Sequence, residues 1–290
     1  MLRSFLFVPG DSERKQAKAL SSAADALIFD LEDSVTPGRL PFARQQVANV
    51  LTVKPSVATL QFWVRINPLS SGALLQDVSA VLGAAPAGFV LPKVSQPSEV
   101  EVVHHYLSAL EVQLGLELNS TKLIVVATET ARAVLTLGGY PVVPERLVGL
   151  TWGAEDLSAA LGASSKYQAD GTLTFTCQLA RSMCLLAASA SGVQSIDTLY
   201  TNFKDSAGLQ ADAALARRDG FTGKIAIHPD QVDIINAAFM PSVAEIERAT
   251  RIVAAFADSP QTGVLSLDGE MLDRPHLAQA QSVLAIARCR

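Results

Sequence analysis

Carboxylates that close apolar runs carry most of the chemistry in this sequence. Asp30, Glu32 and Asp33 follow Ala26–Phe29, Glu129 follows the strongly apolar stretch from Leu123, and Asp156 follows the run that begins at Leu147. Arg65 and Lys93 close two further runs, and His228 closes a third. Two carboxylates set against each other on one rim repel unless a cation neutralises them, so Glu129 and Asp156 suggest a site for a hard, oxygen-preferring ion, Mg²⁺ with Mn²⁺ as the alternative. Arg65 adds a place for an anion. Taken singly, either acid reads equally well as a helix-start carboxylate favoured by the helix dipole. Asp30, Glu32 and Asp33 either orient waters around the ion or cap the loop that follows. Lys93 and His228 have ordinary readings too, a salt bridge and a hydrogen-bonded pocket histidine.

These residues need a scaffold that brings run ends together. Eight short apolar runs alternate with segments of helical spacing: Ser4–Pro9, Ala26–Leu31, Phe62–Asn67, Gly88–Lys93, Leu123–Glu129, Leu147–Gly153, Ser195–Tyr200 and Lys224–His228. Repeated βα units imply a parallel sheet, and eight of them imply closure into a (β/α)8 TIM barrel, whose active site lies at the C-terminal ends of the strands. The clearest helices are expected over 98–115, 130–137, 175–191 and 206–219, the first with Ser98 as N-cap. Residues 1–240 are assigned to the barrel and 241–290 to a C-terminal extension, with amphipathic segments at 230–240 and 243–258, an Asp-Gly turn inside 262–273, and a last helix from Pro275 to Arg288. The polar stretch 164–174 reads as a long surface loop.

Bulk composition narrows the classes. The chain has 290 residues, 49% hydrophobic and 18% charged, with a formal net charge of −5. No global positive field draws it to nucleic acid or to an anionic membrane. An anionic ligand must therefore meet a local basic patch, and Pro9-Gly10-Asp11-Ser12-Glu13-Arg14-Lys15, with Lys18 a turn further on, offers one at a helix start. Charge pairing along an exposed helix explains the same pattern. Three cysteines, Cys177, Cys184 and Cys289, show no metal-site spacing, which fits a reducing cytoplasm. Cys177 and Cys184, seven apart on one helix, read as core residues. No apolar run approaches the roughly 20 residues that span a bilayer, and the first ten residues read as a strand without a cleavage region, so a soluble, unprocessed chain is expected.

Eight strings at these strand ends and in the extension, FVPGDSERK, IFDLEDSV, WVRINP, VLPKV, ATETARA, LTWGAEDLSAALG, KIAIHPDQ and GEMLDRP, occur in the order found in the citrate lyase beta subunit and related coenzyme A ester lyases. The sequence resembles that family over nearly its whole length. The resemblance implies Mg²⁺ held by Glu129 and Asp156, and Arg65 on the thioester or keto-acid oxygens. It further implies the backbone at Gly153, Ala154 and Glu155 on the substrate carboxylate, and Arg14, Lys15 and Lys18 near the coenzyme A phosphates. Lys93 joins the substrate-binding set, and the candidates for the hydroxyl proton are a metal-bound water, or Asp30 or Glu32 acting through water. Asp273 would be the acid that a neighbouring subunit contributes from its C-terminal segment; from its own surroundings it reads as a helix N-cap before Arg274-Pro275. The implied reaction cleaves a 3-hydroxyacyl-coenzyme A (malyl, citramalyl or citryl) to acetyl-coenzyme A and a 2-oxo acid. A homotrimer or a dimer of trimers is implied, and an acyl-carrier protein is the alternative partner. A pyruvate aldolase acting on free acids, a malate synthase-like condensation with thioester hydrolysis, and a barrel that binds thioesters without turnover are the competing readings.

Overall fold

The structure, a computed structural model, describes residues 1–53, 59–142 and 145–288. It contains two compact units, Leu2–Asn236 and Ala237–Arg290.

In the first unit, strands β1 (Ser4–Pro9), β2 (Ala26–Asp30), β3 (Gln61–Arg65), β4 (Gly88–Leu91), β5 (Lys122–Val126), β6 (Leu147–Thr151), β7 (Gln194–Asp197) and β8 (Gly223–Ala226) pair in parallel and close into a barrel in sequence order. Their near-continuous burial is that of parallel strands covered on both faces. Phe5, Ile28, Trp63, Val90, Ile124 and Ile196 belong to one core cluster. Helices α1 (Glu13–Leu20), α2 (Leu40–Leu51), α3 (Leu74–Val81), α4 (Ser98–Leu114), α5 (Ala131–Thr136), α6 (Ala154–Ala160), α7 (Phe175–Ala190) and α8 (Ser206–Asp219) alternate with the strands, and α9 (Val232–Ala238) follows β8.

Several boundaries differ from those the sequence suggests. Strand β7 ends at Asp197 because the next carbonyl, that of Thr198, is taken by Lys224 Nζ at 2.7 Å. Strand β8 ends at Ala226 because the N–H groups of Ile227 and His228 donate to Gln231 Oε1 at 2.8 and 3.2 Å instead of to a neighbouring strand. Ser98 is not an N-cap: it is the first residue of α4, Pro97 occupies the cap position, and no side-chain cap bond forms. Thr130 does cap α5, accepting from Ala133 N. Around the barrel, Arg146 and Glu111 are fully buried and paired at 2.7 Å, and Thr121 O accepts from the same guanidinium.

The second unit begins its ordered packing at α10 (Val243–Asp258), started by a Ser242–Glu245 capping box. Strands β9 (Val264–Leu267) and β10 (Glu270–Asp273) form an antiparallel hairpin, followed by α11 (Arg274–Arg288). Both residues of its two-residue turn, Asp268 and Gly269, have positive φ (53° and 82°), as a type I′ hairpin requires. Ala249, Ile252, Phe256, Leu272 and Ala280 form its core.

Cys177 and Cys184 are buried free thiols on α7, and burial pushes the Cys184 thiol well up; Cys289 lies outside the described residues. Among the described residues, no helix is long and apolar enough to cross a membrane.

Candidate active site

The barrel mouth is built from register. Asp30 and Arg65 are the last residues of β2 and β3 and stand opposite each other in the ladder. Their side chains meet in a bidentate pair, Nε to Oδ1 and Nη2 to Oδ2, both at 2.7 Å. The guanidinium also lies over the Phe7 ring, 4.6 Å from its centroid. Asp30 accepts the backbone N–H groups of Glu32 and Ser34 as well, so both its oxygens are engaged. Burial works against its charge, but the Arg65 contacts outweigh it and hold the carboxyl below the usual range.

Next along the rim, Lys93 bridges the acids. Its ammonium contacts Glu32, lies 2.8 Å from Asp33 Oδ1 and 3.8 Å from Asp156 Oδ1, while its backbone N–H donates to Glu129. It does both with φ at 54°, an uncommon conformation for a residue with a side chain. Burial works against the ammonium's charge, but its contacts with Asp33 and Glu32 outweigh that and raise its proton affinity.

Glu129 sits just past β5, almost wholly buried. Burial is the main force pushing its carboxyl up to about 8; the Lys93 N–H opposes this, and the neighbouring Asp156 and Glu32 charges add to it. Glu32 is raised for the same first reason, and its Oε2 is buried without a hydrogen bond, although Arg65 Nη1 lies 3.1 Å away. Asp156 lies in the first turn of α6. Gly153, which precedes that helix, donates to Thr128 Oγ1 at 3.1 Å, and a Cβ there would stand 2.8 Å from Glu129 Cγ. Only glycine leaves Glu129 its position.

The mouth therefore holds Asp30, Glu32, Asp33, Glu129 and Asp156 against Arg65 and Lys93, an excess of negative charge around a carboxylate that burial disfavours. Among the described residues, no group of three or more His, Cys, Asp or Glu side chains is placed to hold a metal ion by itself. Glu129 and Asp156 could hold a hard divalent ion whose remaining ligands would come from water and substrate. An open cavity of about 490 Å³ lies on the Glu32, Asp33 and Lys93 side of the mouth, lined also by Thr36 and Asn67, a volume typical of small-molecule sites.

Other expected site residues lie outside this cluster. Arg14, Lys15 and Lys18 are exposed on α1. Arg39, which sequence reasoning passed over, binds Asp11 in the turn after β1 at 2.7 Å and adds a cation there. Glu155 pairs with Lys166 from the exposed 164–174 loop. His228 stacks on Phe203 (centroids 5.1 Å apart) and caps the turn that begins at Pro229. Asp273, in the second unit, is half-buried and gives its Oδ1 to His276 rather than to a backbone cap.

A closed barrel with an acid-rich, cation-bridged mouth at the C-terminal strand ends is the frame of a metal-dependent (β/α)8 enzyme. The chain belongs to the HpcH/HpaI aldolase/citrate lyase family, whose model matches residues 3–229, and it is a carbon–carbon lyase. It is similar to a (3S)-malyl-CoA thioesterase of Cereibacter sphaeroides, with 36% identity over 98% of this chain and 94% of the relative. The mitochondrial citramalyl-CoA lyase of Rattus norvegicus is 33% identical over 98% of this chain and 86% of its own. Among solved structures, the Mycobacterium tuberculosis protein CitE in complex with magnesium, acetoacetate and coenzyme A superposes with a TM-score of 0.80 at 33% identity, covering 99% of this chain and 98% of that one.

Proposed function

We propose that this protein is a Mg²⁺-dependent lyase that cleaves a 3-hydroxyacyl-coenzyme A (malyl, citramalyl or citryl) to acetyl-coenzyme A and a 2-oxo acid, and runs the reverse condensation. The observation that carries the reading is Glu129, buried beside Asp156 and pushed up to about 8, next to an Arg65 locked by Asp30.

Glu129 and Asp156 would hold Mg²⁺, which would supply a Lewis acid for the 2-oxo acid and its carboxylate. Arg65 presents fixed positive charge where the thioester oxygen becomes an enolate oxygen, a preorganised contact of the kind often contributing about 3–4 kcal/mol. Asp30, with both oxygens occupied, keeps the guanidinium in place. In cleavage, the C2–C3 bond electrons pass to the thioester enolate as the C3 hydroxyl loses its proton. Glu32, buried and with an unbonded oxygen, receives that proton. The enolate carbon then takes a proton from Asp273, brought by the extension of a neighbouring copy in a trimer or a dimer of trimers. The backbone N–H groups of Ala154 and Glu155, freed by Gly153 at the start of α6, receive the substrate carboxylate. Lys93 holds the Glu129 side chain and the acids that flank it. Arg14, Lys15 and Lys18 receive the coenzyme A phosphates. The acidic chain and its free thiols suit the cytoplasm.

A second reading, in which the thioester is also hydrolysed, is favoured by the similarity to a (3S)-malyl-CoA thioesterase. Purified protein given each of the three thioesters, with and without Mg²⁺, separates the two. Metal-dependent acetyl-coenzyme A release supports the lyase, free coenzyme A in step with it supports added hydrolysis, and no reaction with any thioester contradicts both.

A further inference from the structure

Asp273 ends β10, and His276 lies in the first turn of α11. The imidazole Nδ1 lies 2.5 Å from Asp273 Oδ1 and 3.2 Å from the Asp273 backbone N. With the Nδ1–H tautomer the imidazole donates to Oδ1, and the longer contact, in which the backbone N–H would need the same nitrogen as acceptor, gives way to this shorter one. The hairpin's other acids are taken by different partners: Glu270 by Arg248, and Asp268 by Arg251 at 2.5 Å. Both members of the pair are partly open to solvent, 35% for Asp273 and 43% for His276, so the carboxyl is reachable by a ligand while one of its oxygens is held.

We propose that His276 is a positioning residue for Asp273: by holding Oδ1 it fixes the carboxyl rotamer and leaves Oδ2 as the oxygen that exchanges a proton with substrate. This rests on the reading of Asp273 as the acid–base group. In condensation, Oδ2 takes a proton from the acetyl methyl carbon and the C–H electron pair becomes the enolate. In cleavage, the same proton returns from Oδ2 to that carbon. The Oδ1···Nδ1 bond persists through both directions, so the carboxyl does not rotate away between turnovers.

The test compares wild type, Asp273→Asn, His276→Ala and His276→Gln as full-length proteins with Mg²⁺ and the thioester that turns over fastest. His276→Ala lowers kcat about ten- to a hundredfold through lost orientation and leaves KM within about twofold. His276→Gln, whose amide N–H still reaches Oδ1, recovers most of the rate. A His276→Ala protein with wild-type kcat beside an inactive Asp273→Asn overturns the positioning role while the acid–base reading stands; an active Asp273→Asn removes both. A second measurement needs no turnover. The chain has four histidines, so ¹⁵N-histidine labelling resolves them, and the His276 Nδ1 resonance moves on Asp273→Asn if the two share a hydrogen bond. An unmoved resonance overturns the proposal.

Discussion

Replacing Gly153 with alanine puts one methyl group where the structure has no room for it. The backbone there (φ −117°, ψ 110°) is extended, so alanine is conformationally acceptable and the whole penalty falls on neighbours. The new Cβ would lie 2.8 Å from Glu129 Cγ and 3.3 Å from Val126 Cγ1. Carbon atoms rest about 3.5–4.0 Å apart, so Glu129 retreats by roughly 0.7–1.2 Å. Overpacking costs about 1–3 kcal/mol, and the lower entropy of the unfolded chain returns about 0.4–1 of it, so the protein stays folded. Displacement of a metal-holding carboxylate by that distance lowers kcat/KM on the order of 10²-fold, equivalent to about 2.7 kcal/mol of transition-state stabilisation. The assay is Mg²⁺-dependent acetyl-coenzyme A release, with calorimetric Mg²⁺ titration beside it. Gly149→Ala is the control, because its Cβ crowds Ile196 and Ile124 at 3.1 and 3.3 Å without touching Glu129. A folded Gly153→Ala protein with wild-type turnover and Mg²⁺ affinity would refute the placement of Glu129.

Arg65→Lys loses the bidentate pair with Asp30 and lowers kcat by about two orders of magnitude or more, with thermal denaturation showing the fold intact. Apparent Mg²⁺ affinity weakens as pH falls from 8 to 6, because Glu129, raised to about 8 without the ion, must give up its proton to bind it; calorimetry across that range checks this, and a flat profile contradicts it. At the other pole of acidity, burial opposes the Glu111 charge but Arg146 and the N–H groups of Thr121 and Asn119 hold its carboxyl down to about 2. That stabilisation is complete above about pH 4.5 and is lost as pH falls from there toward 2, and Glu111→Ala, which strands buried Arg146, costs about 3–5 kcal/mol at neutral pH by chemical denaturation. Mixing inactive Glu129→Gln and Asp273→Asn chains restores activity if the acid comes from a neighbouring copy, and leaves it absent if each chain serves itself.

The sequence showed the barrel because parallel strands buried on both faces are written as apolar runs, and the polar residue ending each run marks the mouth. The ladder then brings Asp30 to Arg65 with no further information. What escaped reading depends on side chains competing with the backbone. Lys224 and Gln231 capture groups that would have lengthened β7 and β8, and nothing local in 195–200 or 224–228 announces it. Lys93 read as an ordinary salt bridge because its role depends on a positive φ that aims its N–H at Glu129 while the side chain spans Glu32 and Asp33. His276 was legible only as a residue three beyond Asp273, a spacing with meaning once a helix begins between them. Arg39 was hidden by distance along the chain from Asp11.

Whether Glu129 and Asp156 hold a divalent ion at the barrel mouth is decided by calorimetric Mg²⁺ titration of the wild type, Glu129→Gln, Asp156→Asn and the double variant. One ion per chain is expected in the wild type, with affinity lowered at least about tenfold by either single change and no binding in the double variant. A double variant that binds Mg²⁺ as the wild type does would contradict it.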